Sequence, residues 1–258
     1  MLQKYWGPFL KPSTGIGRGH GRKSKSKGSS SAATYKEFDA VPKGLGTSTD
    51  TWDYGDGEDA FDTIGWFLQN SNAYDIFGNM SEADTSALEE YTAGAFMDGQ
   101  QYKGFSSMSA EEQNWTRTYD RLLDQSVINA NVKLTRFSTP ELLFGAGAKT
   151  TTLVELQTMK GKVITSKANL STAAAKVGLS IGDGTKQIEY KIHIPAKAKG
   201  AGSYIGFPGR MHSYGVIQRE FMLNRDTTWT VGDSRYDAKR GVFEVDLHYN
   251  GRNPHDYK

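Results

Sequence analysis

The order of hydrophobic periodicities predicts an α+β fold, with helices first and then strands that build a largely antiparallel sheet. Three observations carry this. Between residues 58 and 128 apolar side chains recur at helical spacing. From Val132 onward the apolar runs are short and β-type. Gly, Pro, Asn and Asp punctuate those runs, as turns require. No internal repeat is visible.

In chain order, residues 1–57 read as a tail. Gly15 to Ser31 is rich in Gly, Ser, Lys and Arg and lacks periodic apolar residues. Such a stretch buries too little surface to offset the entropy of ordering it, so a flexible linker is expected. Arg18, Arg22, Lys23, Lys25 and Lys27 make residues 18–27 strongly basic, which leaves open a contact with nucleic acid or an acidic surface. Leu2, Tyr5, Trp6, Phe9 and Leu10 form a small apolar cluster suited to docking on the main domain or on a partner.

The compact domain is expected over residues 58–258. Helical patterns cover 58–69 (Phe61, Ile64, Phe67, Leu68), 81–101 (Leu88, Tyr91, Ala95) and 109–128 (Trp115, Tyr119, Leu122, Leu123). Ser81 followed by Asp84 resembles a helix start, although a capping box wants Glu or Gln at the later position. Strands are predicted at 132–136, 151–156, 162–165, 187–194, 216–223, 228–231 and 242–249.

Composition narrows the chemistry. The chain has 258 residues, 37% of them hydrophobic, enough for one core and an appendage. Lys and Arg number 31 against 29 Asp and Glu, so the net charge of +2 says little about partners. The absence of cysteine excludes disulfides, thiolate metal sites and a cysteine nucleophile. The 5 histidines (His20, His193, His212, His248, His255) are scattered without ligand spacing, and no metal is expected. Asp53, Asp56, Glu58, Asp59 and Asp62 read as a solvated acidic stretch rather than a cation loop. No apolar run approaches the ~18 residues of a membrane span. The first residues lack the charged start and apolar core of a secretory signal, so export by that route is not expected.

The run from Val216 to Leu223 holds the most informative pattern. On a strand, Gln218 and Glu220 would share one face. A carboxylate that stabilises a cationic sugar needs a rigid mount of this kind. An edge strand with a solvated polar face would show the same alternation.

Upstream residues discriminate between the two. Met80 to Thr92 is similar to an acidic, Ser-initiated helix of bacterial and phage toxin-like mono-ADP-ribosyltransferases. Asn131 to Arg136 resembles their first catalytic strand, which ends in arginine. Gly161 to Ala173, with Ser171 and Thr172, resembles their Ser-Thr-Ser strand, and Gln218-Arg219-Glu220 resembles their Gln-x-Glu strand. These motifs stand in the family's order across residues 60–250. The match is to the branch that includes the Rho-modifying exoenzymes.

The resemblance implies two sheets enclosing a cleft for NAD, which is a substrate rather than a resident cofactor. It assigns Glu220 as the catalytic carboxylate, which also holds the ribose 2′-hydroxyl. Arg136 would bind the pyrophosphate, Ser171 would brace Glu220, and Thr172 would support the strand. Gln218, where arginine-modifying relatives carry glutamate, implies an acceptor other than arginine. Tyr214 would either touch the target or pack. Lys176 stands in for a second phosphate-contacting arginine. Thr135 and Ala173 depart from the family's tyrosine and final serine, and no aromatic is evident to stack on nicotinamide. A monomer acting in a target-cell cytoplasm is expected, whether as a toxin, an injected effector or a bacteriophage-encoded modifier. The alternative is a non-catalytic module of the same fold that binds through its basic tail.

Overall fold

A computed structural model of the chain describes residues 33–39, 58–78, 80–92, 101, 103–145, 147–175, 188–206 and 219–257. The helical periodicity of the first part becomes α1 (Glu58–Asn70), α2 (Ala73–Gly78), α3 (Glu82–Thr92) and α4 (Ala110–Leu123). Helix α3 begins with a reciprocal cap. The Ser81 amide donates to Asp84 Oδ2 at 3.1 Å, and the Asp84 amide donates to Ser81 Oγ at 3.2 Å. Aspartate thus does what the sequence rule reserves for Glu or Gln. Helix α4 starts with a capping box made by Ser109 and Glu112. The apolar stripes of these helices meet: Tyr119 of α4 is fully buried and its hydroxyl donates to the Ala87 carbonyl of α3 at 2.7 Å.

The β-type region becomes β1 (Val127–Ile128), β2 (Val132–Ser138), β3 (Val163–Thr165), β4 (Leu170–Ala173), β5 (Ile188–Ile194), β6 (Ala198–Lys199), β7 (Gly202–Tyr204), β8 (Glu220–Leu223), β9 (Thr227–Asp237) and β10 (Val242–Arg252). Two short helices, α5 (Glu141–Phe144) and α6 (Leu153–Thr158), separate β2 from β3. The α+β class holds. The pairs are antiparallel except for β5 with β10.

The main sheet runs β3-β9-β10-β5-β2-β4-β8-β7, and β1 pairs with β6 in a second, two-stranded sheet. The main sheet has a seam. Strand β2 pairs with β5 along its whole length, from Val132↔Ile194 to Ser138↔Ile188, but meets β4 at a single pair, Thr135↔Ala173. Five strands lie on one side of this pair and three on the other.

Three expectations are corrected. Residues 151–156 do not form a strand, because Thr152 and Glu155 make a capping box that starts α6. The strand expected over 216–223 begins only at Glu220; residues 216–218 lie outside the described residues, and Arg219 is a turn residue. The boundary expected at Glu58 leaves out residues 33–39, which belong to the compact unit 33–258. Lys36 bridges Val132 on the edge of β2 that β4 leaves uncovered, and Phe38 is buried against Trp66 and Phe67 of α1. The basic stretch 18–27 lies outside the described residues. Among the described residues no helix is long and apolar enough to cross a membrane.

The turn after β8 is anchored by buried charges. Arg225 Nε and Nη2 donate to Asp120 of α4 at 2.9 and 2.8 Å, and the Tyr257 hydroxyl donates to the same carboxylate at 2.9 Å. His255 sits between Asp124 and Asp226, at 3.0 and 3.1 Å. The C-terminal residues therefore tie the end of β8 to α4. Removing one partner of a buried pair strands the other charge. Asp120→Ala is expected to lower stability by roughly 3 kcal/mol, read as a lower urea midpoint at unchanged m value. A loss within error would show that this pair is not what anchors the turn.

Candidate active site at the sheet seam

The seam pair gathers the candidate residues by register alone. Arg136 follows Thr135 on β2. Ser171 and Thr172 precede Ala173 on β4. Glu220 opens β8 directly across from Ala173. Residues distant in sequence therefore stand within two positions of one backbone pair.

Cross-strand partners point to the same face, and so do alternate residues on a strand. Ser171 and Ala173 therefore share a face with Glu220. Ser171 lies on the diagonal from Glu220, where its hydroxyl acts as a hydrogen-bonding group that lowers the carboxyl pKa. Thr172 points the other way, and its Oγ1 donates to the Phe221 carbonyl at 2.7 Å. The two hydroxyls thus divide the work: one holds the carboxylate and one holds its strand. Arg136 Nη1 donates to the Ser171 carbonyl at 2.6 Å, which brings its charge beside the same carboxylate.

Glu220 is 5% exposed. Burial pushes its carboxyl from the usual 4.5 up to about 7, against the opposing effects of the Ser171 hydrogen bond and the Arg136 charge. Desolvation outweighs both. A site of this kind holds a carboxylate that gains most from a positive charge arriving close by.

The residue before Glu220 is unusual. Arg219 has φ of 49°, in the left-handed region that favours glycine, at a cost on the order of 1 kcal/mol. It is buried, and its Nη1 donates to the Asp39 carbonyl at 3.0 Å. Its own carbonyl accepts the Ala174 amide at 2.9 Å. Tyr204, paired with Phe221, is also buried here. Burial raises its hydroxyl pKa, with the Arg219 charge acting against that shift and the Glu220 charge adding to it.

The structure thus brings Arg136, Ser171, Thr172 and Glu220 together. Gln218, Tyr214 and Lys176 lie outside the described residues. Sequence reasoning missed Arg219, Asp39 and Tyr204. A left-handed arginine leaves no sequence signal, and Asp39 contributes a backbone atom from a stretch that reads as tail. The two departures from the family pattern, Thr135 and Ala173, prove to be each other's seam partners. Both are small, and the Thr135 hydroxyl is turned to the Ala175 carbonyl at 3.0 Å. They meet where the two halves of the sheet touch.

Comparison with known proteins bears on the family and the fold. The family model described as ADP-ribosyltransferase exoenzyme matches residues 68–248. No curated protein sequence matches the chain. Among solved structures, C3stau2 from S. aureus with NAD is similar at TM-score 0.60 and 16% identity, covering 85% of this chain and 100% of that one. Plx2a, an ADP-ribosyltransferase toxin from Paenibacillus larvae, is similar at TM-score 0.61 and 14% identity, covering 75% and 97%. The Clostridium limosum C3 exoenzyme is similar at TM-score 0.57 and 16% identity, covering 84% and 98%. At these identities the likeness is one of fold.

The buried carboxylate has a consequence for stability. Its folded-state pKa of about 7 lies above the ordinary 4.5, so the folded protein binds the extra proton and stability falls as pH rises through that window. Glu220→Gln removes the cost of burying the anion. The variant is expected to exceed the wild type at pH 8 by on the order of 2 kcal/mol, with the difference vanishing near pH 4. Equal melting temperatures at pH 8 would refute a strained, buried carboxylate.

Proposed function

Because this chain belongs to the ADP-ribosyltransferase exoenzyme family, we propose that it transfers a single ADP-ribose from NAD to a side chain of a target protein and releases nicotinamide. The observation that carries this is the buried Glu220 carboxylate, held by Ser171 with the Arg136 charge beside it. The bond between ribose C1′ and the nicotinamide nitrogen breaks. Its electron pair goes to the ring nitrogen and neutralises the pyridinium, while positive charge develops on the sugar. An acceptor atom then bonds C1′ and loses its proton.

An anion placed in advance stabilises that charge without reorganising. Glu220 supplies it and accepts a hydrogen bond from the ribose 2′-hydroxyl. The cationic nicotinamide ring of NAD, on entering, favours the ionised form of a carboxyl that is otherwise half protonated near neutrality. Arg136 offers paired donors that suit a pyrophosphate. Ser171 and Thr172 keep the carboxylate and its strand in place. C3stau2, of similar fold, is a complex with NAD, which supports NAD as the substrate here.

Gln218 bears on the acceptor. An amide orients a neutral acceptor but neither takes a proton nor pairs with a guanidinium. The target side chain is therefore asparagine-like or another group that is not arginine, and Tyr214 is the candidate for contact with the target. The Paenibacillus relative is described as a toxin, and action of this kind inside a target cell is the corresponding role here.

Labelled NAD added with a cell lysate tests the reading. A labelled protein band that vanishes with Glu220→Gln, while NAD binding persists, is expected. No label and no nicotinamide release would instead support a binding module of the same fold. Below pH ~7, kcat/KM for nicotinamide release should fall about tenfold per unit as Glu220 takes up its proton; a flat profile down to pH 5 would refute the role of that carboxylate. Gln218→Glu should raise labelling of arginine analogues, and unchanged preference would remove Gln218 from acceptor choice.

A further inference from the structure

We propose that Arg219 is a positioning residue, through which the upstream segment 33–39 sets where Glu220 stands. This rests on the transferase reading for its importance to catalysis, but not for its geometry. Three observations carry it. First, Arg219 adopts the left-handed conformation with φ of 49° immediately before the first residue of β8. A non-glycine residue holds that conformation only where its surroundings over-determine it. Second, the arginine is clamped at both ends. Its carbonyl accepts the Ala174 amide at 2.9 Å, next to the seam, and its guanidinium donates to the Asp39 carbonyl at 3.0 Å. A buried guanidinium needs acceptors, and the backbone of residue 39 supplies one.

Third, the segment that supplies it is itself fastened. The Lys36 amide donates to the Asn131 carbonyl and the Lys133 amide to the Lys36 carbonyl, both at 3.0 Å. Lys133 pairs with Glu37 at 2.9 Å, and Asn131 Nδ2 donates to the Thr34 carbonyl at 3.1 Å. Phe38 stacks on Phe67, which stacks on Tyr204 and packs on Phe221, the residue after Glu220. Segment 33–39 therefore grips the catalytic strand on both sides of Glu220: through Arg219 before it and through the aromatic stack after it. The same segment lines the free edge of β2 just before Arg136. A stretch outside the residues matched by the family model thus orients a carboxylate within them.

The test uses the full chain with Arg219→Met, Arg219→Lys and Phe38→Ala, all assayed below their melting temperatures. Two readouts are taken: steady-state nicotinamide release, and titration of the Glu220 carboxyl by carbon-13 NMR, assigned with Glu220→Gln. For Arg219→Met we expect kcat to fall at least tenfold with KM for NAD within twofold, because Arg136 is untouched. The Glu220 titration should move from about 7 toward the ordinary carboxylate range, as the side chain leaves Ser171 and meets water. Arg219→Lys keeps a donor and should recover part of both. Phe38→Ala should act in the same direction as Arg219→Met, and more weakly.

Wild-type kcat in Arg219→Met overturns the proposal. So does a lost kcat with the Glu220 titration unmoved, since a purely structural role predicts that result. If Arg219→Met does not fold, Arg219→Lys and Phe38→Ala decide by the same criteria. If the wild type releases no nicotinamide, the transferase reading falls, and the NMR titration alone still decides whether Arg219 positions Glu220.

Discussion

The architecture depends on one backbone pair, Thr135 with Ala173, at which the main sheet is joined. Elsewhere β2 is fully occupied by β5, and β4 by β8. Across the seam only that pair forms, while Arg136 stays paired with Tyr190, Ser171 with Met222 and Glu220 with Ala173. The ladders on either side fix these backbones, and the seam sets their side chains against one another. Neither the five-stranded part nor the three-stranded part alone would put a guanidinium and a carboxylate at the same place.

That arrangement costs stability and gains chemistry. A carboxylate buried beside apolar residues resists ionisation even with a hydroxyl and a guanidinium to help it. A residue in the left-handed region precedes it. Functional sites commonly retain such unfavourable features because surrounding structure holds them in place. Here the surroundings can be named. The Arg225–Asp120 pair and His255 hold the end of β8, Thr172 holds its middle, and Arg219 holds its beginning.

The same logic accounts for the departures from the family pattern. Thr135 and Ala173 are far apart along the chain. In the fold each faces the other across the seam. The Thr135 hydroxyl bonds the chain just after β4, so the strand before Arg136 is still tied to the strand that carries Ser171.

By itself the sequence determined the class of fold, since helical periodicity before Val132 and β-type runs after it depend only on local side-chain pattern. It also singled out Arg136, Ser171, Thr172 and Glu220 as candidates, because they sit in short motifs with recognisable residue types, and the fold brings these four together. Capping was legible and partly overlooked: Thr152 and Glu155 start a helix where β-branched residues suggested a strand. Only the tertiary structure decided which residues meet. Register across a single seam pair is a long-range property that no local pattern encodes. The burial that lifts the Glu220 pKa arises from neighbours on other strands. The role of residues 33–39 was hidden for the same reason: a backbone carbonyl has no sequence signature, and what makes Asp39 matter is the arginine, 180 residues away, that reaches it.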